Sequence, residues 1–271
     1  DNYITLYFNQ DYNYASGFKN SYRNNIKFIN YENKTITDSV ELNIKAGTKL
    51  EIHFESSVTN LEKFFSQTED ENMVNLVSID LSHFNSSFVT NMNSLFSGCS
   101  SLKSINLSNL NTQKVTDMAN MFLGCNSLIS LDLTWFNTEN VEDMNSMFSG
   151  CTSLNSINLL NFDTSKVINM ASMFENCQSL DSIDLSKFNT EKVENMNSMF
   201  SQCNSLKILN LSNFDTSLVQ TMDSMFYNCN GLNILDISNF NMESLTSNNQ
   251  MLSGLNNLNY INTENIKLKD G

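Results

Sequence analysis

Residues 154–179 read LNSINLLNFDTSKVINMASMFENCQS, and residues 180–205 read LDSIDLSKFNTEKVENMNSMFSQCNS. The second stretch restates the first at an offset of 26 residues. Stepping outward by that offset, cysteine recurs at Cys99, Cys125, Cys151, Cys177, Cys203 and Cys229. The unit around Cys99 runs from Leu76 to Ser101, with Ile79, Leu81, Phe84, Val89, Met92, Leu95 and Phe96 as its other apolar positions. Leu102, Leu128, Leu154, Leu180 and Leu206 open further copies, and Leu232 opens a decaying one. A fixed period of this size is the signature of stacked structural repeats.

Each unit has two halves. Ile79 and Leu81 alternate around Asp80, the spacing of a short strand. Val89, Met92, Leu95 and Phe96 fall on one face of a short helix. Thr112 and Asp163 suit helix starts, and Gly98, Gly124, Gly150 and Gly254 suit left-handed helix ends. Asn176 and Asn228 fill the same slot, whereas Gln202 predicts strain or a different turn. Strands stack at about 4.8 Å and helices at about 8–10 Å, so the helical side should be the longer one. The expected fold is therefore α/β: a solenoid with a concave parallel sheet about 35 Å long, short convex helices and an N-terminal β cap.

The run Ile157-Asn158-Leu159…Phe162-Asp163-Thr164-Ser165-Lys166-Val167…Asn169-Met170…Met173-Phe174…Cys177…Ser179-Leu180 and its copies resemble a 26-residue bacterial surface-protein repeat. This is the BspA-like and mycoplasma-lipoprotein branch of leucine-rich repeats, and the resemblance covers about residues 76–262. It implies a right-handed leucine-rich-repeat-like solenoid, a module at the cell surface that binds host or neighbour-cell molecules.

The chain has 271 residues, no proline and a formal net charge of −14. Residues 1–60 hold seven acidic and six basic side chains; the rest holds 22 acidic and nine basic. An acidic surface repels nucleic acid and anionic lipid, and favours a basic partner or cations. No apolar stretch approaches the length of a membrane span. The chain starts at Asp1 without an initiator Met, and is read as a fragment whose anchor and export signal lie outside it.

Residues 1–57 are expected to form the β-rich cap. Val40, Leu42 and Ile44 alternate, as do Leu50, Ile52 and Phe54, with residues 45–49 between them as a hairpin turn. Tyr3, Leu6, Phe8, Phe28 and Ile29 mark further strands. Residues 58–244 hold the repeats, the first degenerate, with Val58, Leu61, Phe64 and Phe65 as its helix and Glu69-Asp70-Glu71 as a surface loop. Residues 245–271 are a C-terminal cap or decayed repeat, where Leu255 replaces cysteine, Leu252 replaces phenylalanine and Asn248 replaces methionine.

Most side chains capable of chemistry fall into columns. The cysteines read as reduced core fillers: neighbouring units could bring two within disulfide range, but Leu255 does the same job without sulfur; no paired zinc spacing exists. Met92, Met118, Met144, Met170, Met196 and Met222 form one column, and Met121, Met147, Met173, Met199, Met225 and Met251 a second, both core-facing. Asp80, Asn106, Asp132, Asn158, Asp184, Asn210, Asp236 and Asn262 alternate acid and amide at one exposed strand position. That reads as a ladder in which amides separate carboxylates, or as a charged stripe for a cation or basic partner. Weak calcium binding is one form of the second reading.

Ser78, Ser104, Ser130, Ser156 and Ser182 give way to Ile208, Ile234 and Tyr260, an apolar row on the strand face. Trp135 stands where His83, Asn109, Asn161 and Asn213 stand in other units, and Leu160 breaks a serine column. Asn33, Asn85, Asn106 and Asn210 open Asn-x-Ser/Thr triplets, which are too common in such a chain to decide anything. His53 and His83 lie in unrelated contexts, and no catalytic or cofactor motif occurs.

The expectation is non-enzymatic recognition: an extracellular or surface adhesion module, without cofactor, binding a protein on a host or neighbouring cell, or another surface protein, through its concave face. The partner-binding candidates are Trp135, Leu160, Ile208, Ile234 and Tyr260, with Asp80, Asp132, Asp184 and Asp236 for charge selection. The competing reading is a structural spacer or self-associating component of a surface array; a hydrolase or metal-dependent enzyme has least support.

Overall fold

A computed structural model describes residues 2–14, 26–32, 34–36, 42–54, 58–67 and 71–268. Six strands precede the repeats: β1 Tyr3–Phe8, β2 Tyr12–Tyr14, β3 Ile26–Tyr31, β4 Lys34–Ile36, β5 Leu42–Ile44 and β6 Lys49–Phe54. Seven follow within them: β7 Leu76–Asp80, β8 Ser104–Asn106, β9 Ser130–Leu131, β10 Ser156–Ile157, β11 Ile208–Asn210, β12 Ile234–Asp236 and β13 Tyr260–Asn262.

The expected α/β solenoid with convex helices is overturned. Among the described residues the one regular helix is a 3-10 turn at Glu71–Asn75, and the molecule is otherwise strands and turns. The segment read as helical, such as 89–99, is a ribbon of overlapping turns. Leu95, Ser97 and Cys99 donate to carbonyls three residues back, at Met92, Ser94 and Phe96. The alternate N–H groups of Met92, Ser94, Phe96 and Gly98 instead donate to Asp117, Ala119, Met121 and Leu123 in the next unit. A helix would require every N–H to close on its own segment. Here half are committed to the neighbour, and the three-residue turn spacing reproduces the apolar pattern of a helix face.

Two left-handed residues per unit hold this ribbon. One is the anticipated slot, at Gly98 (φ 78°), Gly124 (φ 71°), Asn176 (φ 59°) and Asn228 (φ 56°). Gln202 keeps the same turn at φ 61°, not a different one, and so carries the strain of a side chain there. The other was not foreseen: Ser94, Asn120, Ser146, Ser172, Ser198 and Ser224 lie at φ 53–58°. Thr112 and Asp163 start no helix. The buried Thr112 hydroxyl accepts from Asn137 N–H and donates to Asn137 C=O, both at 2.8 Å, in the next unit. Thr138, Thr164 and Thr216 repeat this bridge, and Thr190 repeats its donor half to Asp215 C=O.

Units lie side by side in register. Ser78 pairs with Ser104, Ser130 with Ser156, and Ile208 with Ile234 and then Tyr260. On the turn side single bridges run without a break from Asn60 through Asn91, Asp117, Asp143, Asn169, Asn195 and Thr221 to Ser247. The strand side is interrupted: β7 and β8 belong to one sheet, β9 and β10 to a second, β11 to β13 to a third, and residues 181–185 form no strand. Ring spacing agrees. Phenylalanines stack at 5.4–6.0 Å along the turn side and at 6.5 Å near the strand ends, as between Phe136 and Phe162. With no helices to hold units apart, the turn side is the tighter one, and the reason for a concave strand face disappears.

The core fills the space between the two sides. Both methionine columns, the stacked phenylalanines and all six cysteines are buried, and the cysteines are free thiols. Each thiol donates to the phenylalanine carbonyl of the preceding unit, as Cys125 does to Phe96 at 3.2 Å. Burial pushes these thiols up, to about 12 for Cys151, so they stay neutral.

The expected β5–β6 hairpin is also corrected. A turn with Gly47 at φ 76° joins the two strands, but β5 pairs with β2, while β6 lies between β3 and β1; Val40 falls outside the described residues. In the larger sheet the order is β4-β3-β6-β1-β7-β8. Strand β1 runs antiparallel to β7, closing the first unit's open edge and making one outer surface of the N-terminal sheet and the repeat strands. Of the expected acidic loop, Glu71 opens the 3-10 turn, and Glu69 and Asp70 lie outside the described residues.

Candidate functional site

The strand face follows from the alternation of each short strand. Leu209 and Leu235 point into the core, whereas Ile208 and Ile234 point out. Ile208 is 57 % exposed, Ile234 36 % and Tyr260 57 %, and pairing in β11, β12 and β13 brings the three into one row. Beside it lies a cleft of about 630 Å³ lined by Lys207, Ile208, Gly231, Asn233, Ile234 and Asn259 among others. Gly231 is required there, because a Cβ would sit 2.2 Å from the Asn204 carbonyl oxygen.

Trp135, 65 % exposed, interrupts a working column. Asn109 and Asn239 donate to Ser82 C=O at 2.7 Å and to Ser212 C=O at 2.6 Å in the preceding unit. The Trp135 side chain makes no such bond to the corresponding Ser108 carbonyl, so an inter-unit bond is given up for an exposed ring. Leu160, 46 % exposed, lies in the next unit. Ile129, 57 % exposed just before β9, was not singled out from sequence; its signal was an apolar residue among Lys103, Asn155 and Asp181 in its column.

The Asp/Asn column is not the expected amide ladder. Each member's Oδ1 accepts a backbone N–H two residues on: Ser82 to Asp80, Ser108 to Asn106, Thr134 to Asp132, Leu160 to Asn158, Ser186 to Asp184, Ser212 to Asn210 and Ser238 to Asp236. Acid and amide supply that acceptor equally well, which explains why only these two residues occur. Within the column one amide reaches a carboxylate, Asn262 Nδ2 to Asp236 Oδ2 at 3.1 Å. The Thr134 hydroxyl and N–H hold Asp132 below the usual carboxylate range, as the Ser186 N–H and hydroxyl do for Asp184. Burial lifts Asp236, but Ser238 and Asn262 outweigh it and leave it lowered.

On the N-terminal sheet Lys49, Glu51 and His53 share one face of β6. Lys49 Nζ meets Glu51 at 2.5 Å, holding the carboxyl down, and His53 Nε2 lies 3.4 Å from Glu51 and 3.2 Å from Asn30 Nδ2. The two histidines are not unrelated after all: Tyr3 stacks on His83 at 4.6 Å and packs against His53 at 5.0 Å, and Phe28 covers the other side of His53 at 4.2 Å. These rings and polar groups satisfy one another. Among the described residues no three His, Cys, Asp or Glu side chains converge on a metal position.

Among the described residues no helix is long and apolar enough to cross a membrane. A family model described as "Mycoplasma protein of unknown function, DUF285" matches residues 59–158 and again residues 156–265. No curated protein matches the chain.

Proposed function

The chain belongs to the DUF285 Mycoplasma family, and from that premise we propose that it is a BspA-like surface recognition module, without enzymatic activity, that binds a protein partner on its strand face. The observation that carries this reading is the row Ile208–Ile234–Tyr260. Three apolar side chains stand exposed in register on the one three-stranded piece of repeat sheet, in a column that is serine for the five preceding units. Trp135 supports it, since an exposed indole that costs an inter-unit hydrogen bond is explained better by an external contact than by packing. A surface location, lipoprotein anchoring and adhesion to a host or neighbouring cell belong to the same reading.

The site is tested by pull-down from cell-surface extracts with the chain and its Trp135→Asn/Ile234→Asp variant. Asparagine at 135 restores the column's donor, so the variant should melt at or above the wild-type temperature and capture at least tenfold less partner. Equal capture by the two proteins retires the site.

A further inference from the structure

The cleft beside the apolar row has a lining of its own. Its polar side holds one cation, Lys207, and the amides of Asn233, Asn256, Asn257 and Asn259, with no carboxylate among the described residues that line it. Ile208 and Ile234 supply its apolar side. One column marks the place in sequence: Ser101, Ser127, Ser153, Ser179 and Ser205 give way to Gly231, which has no side chain to fill the space. At about 630 Å³ the cleft falls within the roughly 300–1,000 Å³ of small-ligand sites.

The amides are of two kinds. Asn256 Nδ2 donates to Asn230 Oδ1 at 2.8 Å, and Asn257 Nδ2 to Asn230 C=O at 2.7 Å. These bonds fix both side chains and leave their carbonyl oxygens as acceptors. The side chains of Asn233 and Asn259 make no hydrogen bond among the described residues, and Lys207 makes no ion pair there. The wall thus offers neutral donors and acceptors side by side, with a single positive charge. Backbone groups are already taken. The N–H groups of Asn233 and Asn259 donate to Lys207 C=O and Asn233 C=O, and β11, β12 and β13 pair in sequence. A peptide strand therefore finds no edge to extend between these strands. Hydroxyl groups, each both donor and acceptor, match the amides, and ring C–H groups match Ile208 and Ile234. A multiply charged anion would meet one cation on a chain of net charge −14, whereas one carboxylate is balanced by Lys207.

We infer that this cleft binds an acidic sugar: a hydroxyl-rich ring laid on Ile208 and Ile234, hydrogen-bonded by the four amides, with its carboxylate at Lys207. The site goes beyond the recognition reading above and shares only Ile208 and Ile234 with it.

The probes are glucuronic acid and glucose, which differ only in carboxylate against hydroxymethyl. In NMR titrations of the ¹⁵N-labelled chain, glucuronate should move the resonances of Gly231, Asn233 and Asn259 and bind about fivefold tighter than glucose. Lys207→Gln should reduce glucuronate to the affinity of glucose. Asn233→Ala/Asn259→Ala should weaken both sugars with the melting temperature unchanged, since neither side chain bonds within the chain. Competition by glucuronate in the pull-down marks a sugar carried by the partner, and binding without competition marks a free one. Equal affinity of the wild-type chain for both sugars, shifts confined to other surfaces, or no shifts at all would each overturn the inference. None of these results bears on partner capture by the Trp135→Asn/Ile234→Asp variant, which decides the recognition reading separately.

Discussion

At the scale of single residues, the array is joined by small polar side chains that serve two units at once. The Thr138 hydroxyl accepts from Asp163 N–H and donates to Asp163 C=O, at 2.8 and 2.9 Å, and is 1 % exposed. Thr138→Val keeps the shape and strands both backbone groups, so it should cost about 1–3 kcal/mol in urea unfolding. Asp143 shows the converse. Its column is otherwise asparagine, threonine or serine apart from its bridge partner Asp117. Burial raises its pKa, the Asp117 charge adds to that, and Asn145 N–H with the distant Asn169 amide only partly offsets it. A carboxyl raised in the folded state favours folding below its unfolded pKa, and that contribution is lost as pH climbs through the folded value. Asp143→Asn should therefore raise the melting temperature at pH 7, with the gain shrinking toward pH 4; a gain constant over that range would refute the assignment.

At the scale of elements, the two sides of each unit differ in how firmly they are joined. The turn ribbon is hydrogen-bonded across every step from residue 60 to residue 247, while residues 181–185 make no backbone hydrogen bonds to either neighbouring strand. Hydrogen exchange should find Phe174 and Phe200 amides strongly protected and Ile183 and Leu185 amides exchanging at least a hundredfold faster, a difference of about 2.7 kcal/mol or more in local opening. The same contrast explains what was legible in sequence. Period, core columns and left-handed glycine slots were readable, because each depends on one side chain facing one environment. The absence of helices was not readable, because Met92, Leu95 and Phe96 occur at spacings common to a helix face and to successive three-residue turns. What separates the two is where the N–H of Ser94 goes, and serine, unlike glycine, does not announce φ 56°. In the candidate site, Ile208, Ile234, Tyr260 and Trp135 were readable as departures from their columns. The turn-capping role of the Asp/Asn column was hidden, because a ladder and a capping acceptor call for the same residues.

At the scale of the whole molecule, the N-terminal strands are continuous with the repeats. Strand β1 pairs with β7 and buries Ile4, Leu6 and Phe8 to 1 % exposure or less, and Phe54 packs on Phe64 and Phe84. A chain starting at Val58 would bare that apolar face and the edge of β7. It should aggregate by light scattering at concentrations where the full chain is monodisperse; a soluble, cooperatively melting product would show that the first unit needs no cover.

The lateral bonds of the turn ribbon also share a sense. At each step four N–H groups, such as those of Met118, Asn120, Phe122 and Gly124, point toward the following unit, against one, that of Glu142, pointing back. Peptide dipoles that cancel between strands of an ordinary sheet thus add along the array, as they do along a helix axis. An array of turns and short strands thereby acquires an axial electric polarity, positive toward its later units, superimposed on a negative net charge.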